Sequence, residues 1–451
     1  MSIDAQEVAH LLAALAALMM VAHMLGTLFA HFRQPRVIGE ITAGLVLGPT
    51  LLGHLAPGLE SRLFPATGVT PTVLGAVYQL GLLLLLFCSG TQIRSTLRRG
   101  ESKTVGWVFI TGMFLPFLAG LGLLRVLNLR SSWGPHGNAA SFLLVFAIAM
   151  AVTSIPVISK IMHDLGILDT AFARVVLGVA VAEDVVLYVI LALALSLAQG
   201  SEAALYGLPW LLRIGPGTPA DIAYHVAATL GILAVALAFG PRLYRVTAQS
   251  RVNLIRHSSP VAYQLVFMLA ATLLCLFMGI EGFFGAFVAG IAVGAAEVVP
   301  TNAIVSIQGF SFAFFIPIYF AIIGLQLDLL RGFNIAFFLL FLLLACAIKA
   351  GSVYLGARLA GETRGSSLNL AVALNARGGP GIVVASVAYA AGIIGQPFYA
   401  ALVMLAVVTS LFAGSWLAHI PKERLLAEQP VATWSLPWRA SKYSAPESSD
   451  P

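Results

Sequence analysis

The sequence predicts an all-α integral membrane protein of about thirteen transmembrane helices, and three observations predict it. Of 451 residues, 59% are hydrophobic and only 10% charged, against roughly 25% charged in soluble domains. The mean hydropathy is +0.94. Apolar runs of roughly 18 to 25 residues recur along the chain, each long enough to cross about 30 Å of hydrocarbon as a helix, where a β-barrel would show short alternating segments.

Breaks at glycine, proline and charge clusters place the spans near residues 20, 46, 80, 115, 150, 186, 232, 269, 288, 315, 345, 378 and 407. The first apolar run, residues 8 to 31, follows the acidic Asp4 and Glu7 rather than a positive leader and is long for a signal segment, so it reads as a retained first helix. Cys88, Cys275 and Cys346 all fall in apolar runs without metal-binding spacing, which indicates neither a disulfide nor a zinc site. The formal charge of +6 comes from basic residues scattered through short connections, not from a nucleic-acid-binding cluster.

Those basic residues orient the chain. With the N-terminus outside, the cytoplasmic connections hold Arg33, Arg36, Arg94, Arg98, Arg99, Lys103, Lys160, Arg174, Arg242, Arg245, Arg251, Arg256, Arg358 and Arg364, fourteen in all. The outer loops hold five, Arg62, Arg125, Arg130, Arg213 and Arg331. The positive-inside rule then predicts a multi-pass protein of the cell membrane with its N-terminus outside and its C-terminus cytoplasmic. Residues 420–451, rich in Pro, Ser and charge, read as a short disordered cytoplasmic tail, and residues 1–419 as one transmembrane domain.

Four ionisable residues remain at membrane depth: Glu183 and Asp184 in span six, Lys349 in span eleven and Arg377 in span twelve. Each costs about 3 kcal/mol on an insertion scale, so they are expected to face one another or a wet cavity. Adjacent helical residues point about 100° apart, so Glu183 and Asp184 cannot both meet one lysine; one pairs and the other is left to bind. Desolvation strengthens a carboxylate's hold on its proton and a nearby ammonium weakens it; a group between those influences trades H⁺ for a hard cation. Na⁺ and K⁺ also require backbone carbonyls or hydroxyls in place of lost water.

Two spans supply such oxygens. AMAVTSIPVISK, residues 149–160, and NARGGPGIVVAS, residues 375–386, interrupt apolar helices with proline and small or polar residues, and both are expected to unwind locally. They lie in spans five and twelve. An odd offset of seven inverts orientation, so spans one to six and eight to thirteen read as an inverted repeat whose broken helices meet at mid-membrane.

The chain resembles the monovalent cation:proton antiporter family, in the branch of bacterial Na⁺/H⁺ exchangers and Kef-type and plant vacuolar K⁺ exchangers, from about residue 8 to 418. QPRVIGEITAGLVLGPTLLG, residues 34–53, is similar to the family's second-helix signature, and HDLGILDTAFARVVLGVAVAEDVV, residues 163–186, to its approach to the acidic pair. IGLQLDL (323–329), KAGSVYLGARLAG (349–361) and NARGGPGIV (375–383) follow in the family's order. The resemblance implies that Asp184 alternately binds cation and proton, that Thr153 and Ser154 line the unwound crossing with Pro156, Asn375, Arg377, Gly378 and Gly379, and that Lys349 pairs with Glu183. It further implies two crossed broken helices, a homodimer, no cofactor, and an elevator-like movement of core helices, roughly 105–198 and 333–418, against a scaffold formed by the rest. Glu183 departs from the Asp of electrogenic members and the Asn or Gln of electroneutral ones; its retained charge favours an electrogenic exchanger.

Smaller features point less sharply. Glu40 reads equally as a funnel residue or as a cap at the start of span two, Glu281 as interfacial, His23 as a packing residue, and Gly290 with Gly294 as a GxxxG packing seam. The sequence lacks HExxH, GxSG and GxxxxGK, so no enzyme activity is expected. The competing reading is a cation-coupled symporter of an organic solute on a related fold, against which the acidic pair argues.

Overall fold

The computed structural model describes residues 4–32, 34–96, 102–125, 127, 129–154, 158, 161, 162, 165, 167, 170–198, 207–215, 218–250, 253–296, 301–330 and 333–420. Pro156 and the expected tail beyond residue 420 lie outside the described residues. Among the described residues the chain is helical, and its extended pairing is limited to an isolated bridge between Trp133 and Ile394.

Eleven helices are long and apolar enough to cross a membrane, and two shorter apolar helices accompany them. These thirteen match the expected spans and are numbered in order: α1 (Ala5–His31), α2 (Arg36–Leu47), α3 (Val69–Thr96), α4 (Lys103–Leu123), α5 (Ala139–Ala151), α6 (Ala171–Ser196) and α7 (Pro219–Gln249). The series continues with α8 (Pro260–Phe277), α9 (Gly282–Ala295), α10 (Asn302–Leu325) and α11 (Ile335–Ala360). It closes with α12, broken into Arg364–Ala373 and Gly378–Ala390, and α13 (Gln396–Ala418). The chain is therefore a multi-pass membrane protein.

Helix ends follow local chemistry. Asn138 caps α5, accepting from the amides of Ala140 and Ser141, while Ser141 Oγ accepts from the Asn138 amide. Thr170, Ser259, Asn334 and Thr363 cap α6, α8, α11 and α12 through their side chains, and α11 ends at Gly361 with φ +101°. Glu40 does not cap α2. The helix begins at Arg36 after Pro35, so Glu40 is one turn in and buried, with its Cγ against Gly26 of α1.

The helices pack in two sets. α1, α2, α3, α7, α8, α9 and α10 pack among themselves, and α4, α5, α6, α11, α12 and α13 do likewise, with α6 lying against α3, α7 and α9. In the first set, Gly290 and Gly294 of α9 face the backbone of Phe87 and Thr91 on α3 so closely that neither site has room for a Cβ. The GxxxG is thus a seam within the chain. In the second set, Gly356 of α11 meets Thr111 and the Trp107 carbonyl of α4 in the same way. α4 contains a π-helical turn at Ile110–Phe114, just before Pro116.

Candidate ion-binding site

α5 stops at Ala151, Val152 is extended, and Thr153 and Ser154 follow outside any helix; α12 is interrupted between Leu374 and Arg377. The two breaks meet and satisfy each other's backbone. The Ser154 amide donates to Ala376 O at 2.7 Å, Thr153 Oγ1 donates to Leu374 O at 2.6 Å, and Ser154 Oγ accepts from the Gly379 amide at 3.0 Å. Neighbouring α13 completes the caps: Ser410 Oγ accepts from the Gly378 amide at 3.2 Å and Thr409 Oγ1 from the Arg377 amide at 3.3 Å. Helix ends inside a membrane need such partners because no solvent can supply them.

Cations neutralise the carbonyl ends. Lys349, fully buried on α11, donates to Glu183 Oε1 at 2.7 Å, to Gly112 O at 2.9 Å and to Ala151 O at 2.5 Å. All three ammonium protons are therefore used. Arg377, 1% exposed, donates to Ala149 O and, at 2.7 Å, to Ala345 O, so a lysine and an arginine both sit on the last turn of α5, where the helix dipole favours positive charge. Asn375 Nδ2 donates to Cys346 O at 3.2 Å.

The Gly112 carbonyl is free for this role because the residue four positions on is Pro116, which has no amide hydrogen to return. That partner, like the Ala149 and Ala151 carbonyls, is a backbone atom and escaped the sequence reading, although the proline four residues after Gly112 is a visible signal. Thr409 and Ser410, an adjacent polar pair in apolar α13, were equally visible and equally missed.

The acidic pair divides as its helical geometry requires. Glu183 faces α11 and Lys349, whereas Asp184 is turned away. Tyr188, one turn after Asp184 on the same face, packs at a tilt of 59° against Phe287 of α9 at 4.6 Å and edge-on to Phe283 at 6.4 Å, so this face looks toward the boundary between the two helix sets. Asp184 is fully buried, and among the described residues neither of its carboxylate oxygens has a hydrogen-bond partner; Glu183 Oε2 is in the same position. A buried carboxylate without a donor is costly, because burial removes its water and nothing replaces it.

Residues 14–423 match the sodium/hydrogen exchanger transmembrane family along nearly the whole chain. The chain belongs to that family. Within it, the chain is 27% identical over 404 residues to the Na(+)/H(+) antiporter NhaS4 of Synechocystis, covering 89% of this chain and 94% of that protein. It is 25% identical over 409 residues to the K(+)/H(+) antiporter 1 of Saccharomyces cerevisiae, where it covers 87% of this chain and less than half, 44%, of the yeast protein. The fold is shared with the sodium proton antiporter MjNhaP1 of Methanocaldococcus jannaschii, with a TM-score of 0.56 at 14% identity over 94% of this chain and 99% of that one. Exchanger-family membership accounts for the order of the sequence signatures from Gln34 to Val383.

Proposed function

We propose that this protein is a secondary antiporter that exchanges a monovalent cation, Na⁺ or K⁺, for H⁺ by alternating access, with Asp184 as the group that holds either one. The observation that carries this reading is the buried Asp184 carboxylate, whose two oxygens have no donor among the described residues. Such a group is stable only when it carries a proton or a cation, which makes the two ligands mutually exclusive and couples their movement. Thr153 and Ser154 supply further oxygens at the crossing: a hydroxyl that donates to Leu374 O keeps its lone pairs for a cation. The relatives' Na⁺/H⁺ and K⁺/H⁺ antiport supports the same class of exchange.

Glu183 is the charge partner of Lys349, and together with Arg377 they hold the ends of the broken helices in register. The set formed by α4, α5, α6, α11, α12 and α13 carries the ion as a core, and the other set is the scaffold through which two copies pair. The excess of Lys and Arg in alternate connections supports an external N-terminus and a cytoplasmic C-terminus.

The test is exchange in proteoliposomes with a lumenal pH reporter and Na⁺, K⁺ or Li⁺ added outside. Wild type is expected to alkalinise an acidified lumen on cation addition, with an apparent cation KM that rises as pH falls because proton and cation compete. Asp184→Asn, which removes the unpaired charge while keeping the side chain's shape, is expected to lose all cation-driven flux and to keep or raise the thermal midpoint. Retained flux in that variant would remove Asp184 as the carrier. Glu183→Gln under a clamped potential reads the stoichiometry: loss of voltage dependence assigns a second proton to Glu183, and unchanged dependence excludes it.

A further inference from the structure

On the membrane face where the chain begins, the turn between α4 and α5 encloses a cleft of about 600 Å³, within the roughly 300–1,000 Å³ range of small-ligand sites. Its wall is apolar, built from Leu121, Leu124, Phe142, Leu143 and the Trp133 ring, which packs on Phe142 at 5.8 Å. Two guanidinium groups, Arg125 and Arg130, complete the lining. Both side chains are exposed, and neither forms a salt bridge among the described residues. Ala139, in the first turn of α5, also lines the cleft, while the amides of Ala140 and Ser141 are taken up by the Asn138 cap.

We infer that this cleft binds an acidic phospholipid of the facing leaflet. Two guanidinium groups with no salt-bridge partner among the described residues suit a phosphodiester, which accepts charge-assisted hydrogen bonds from a planar fork. The apolar wall suits an acyl chain, and it is continuous with the lipid surface: Leu118, 58% exposed, lies one turn before Leu121 on the same face of α4, and Arg125 lies one turn after it. An arginine at the end of such a stripe keeps its stem on the apolar surface and its head at the interface. A zwitterionic phospholipid would bring its own ammonium against the two arginines, and free phosphate would leave the apolar wall unused. The inference is independent of how the ion is carried, because among the described residues none of these side chains is hydrogen-bonded or ion-paired to Asp184, Lys349 or the crossing.

Trp133 provides a local probe. The full-length protein is placed in vesicles containing phosphatidylglycerol or phosphatidylcholine with brominated acyl chains, and the fluorescence of Trp133→Phe is subtracted to remove the other five of the six tryptophans. Brominated phosphatidylglycerol is expected to quench the Trp133 component at a mole fraction up to about 25-fold lower than brominated phosphatidylcholine, about fivefold for each of the two arginines. Arg125→Gln with Arg130→Gln is expected to bring that ratio to about one while cation-driven flux in phosphatidylcholine vesicles persists. Equal quenching by the two lipids in wild type, or a preference retained in the double variant, overturns the inference. Loss of the preference on adding millimolar inorganic phosphate assigns the site to a free anion and overturns it too. If the double variant does not insert, high salt on wild type replaces it: a preference that salt leaves unchanged is not held by these charges.

Discussion

Lys349 and Glu183 are a buried pair whose members are each costly alone. Taking away one partner of such a pair leaves the other charge uncompensated and costs about 3–5 kcal/mol, whereas taking away both removes the conflict. Glu183→Ala and Lys349→Ala are therefore each expected to lower the thermal midpoint of the purified protein, and the double variant to recover part of the loss. Strictly additive losses would show that the 2.7 Å contact carries no coupling. The four ionisable residues of this site were legible in the sequence because charge in an apolar span is rare, and the 100° step between neighbours separates the roles of Glu183 and Asp184. Glu40, also buried with an unpartnered Oε2, was not placed by the same reasoning, since its depth in α2 depends on where that helix begins.

At the scale of the element, α4 is an unusual support for an ion site. Pro116 denies the Gly112 carbonyl an α-helical donor, and Lys349 donates to it instead, beside the π-turn at Ile110–Phe114. Pro116→Ala restores an amide hydrogen four residues on, which competes with Lys349 for that carbonyl. Exchange is expected to slow several-fold while insertion is kept; unchanged exchange would show that the Ala151 carbonyl and Glu183 alone hold the ammonium. The breaks in α5 and α12 were readable from their Pro, Gly and polar residues. Their mutual capping through Thr153, Ser154, Leu374, Ala376 and Gly379 was not, because residues more than two hundred positions apart in sequence complete one another's hydrogen bonds.

For the whole molecule, a movement of one helix set against the other has to break what joins them. Across that boundary, Tyr319 of α10 shares a hydrogen bond with Ser386 of α12 at 3.0 Å, and Tyr399 of α13 donates to Ile323 O of α10 at 3.1 Å, next to Gln326 Oε1 at 3.3 Å. Each such bond contributes about 1 kcal/mol, roughly a fivefold change in a two-state equilibrium. Tyr319→Phe with Tyr399→Phe is expected to speed amide hydrogen exchange in the second half of α12 and the start of α13 while leaving the Lys349–Glu183 pair intact. Unaltered exchange there would mean that apolar packing alone joins the sets. By itself the sequence determined that the chain spans a membrane about thirteen times, which spans are broken and which residues carry charge into lipid, because hydropathy, proline and ionisable side chains act locally and at fixed cost. Only the tertiary structure decided which backbone carbonyls neutralise Lys349 and Arg377, that Asp184 is left without a donor, and that Gly290 and Gly294 serve a contact within the chain. Those outcomes depend on which distant atoms packing brings within about 3 Å, a distance that no local pattern encodes.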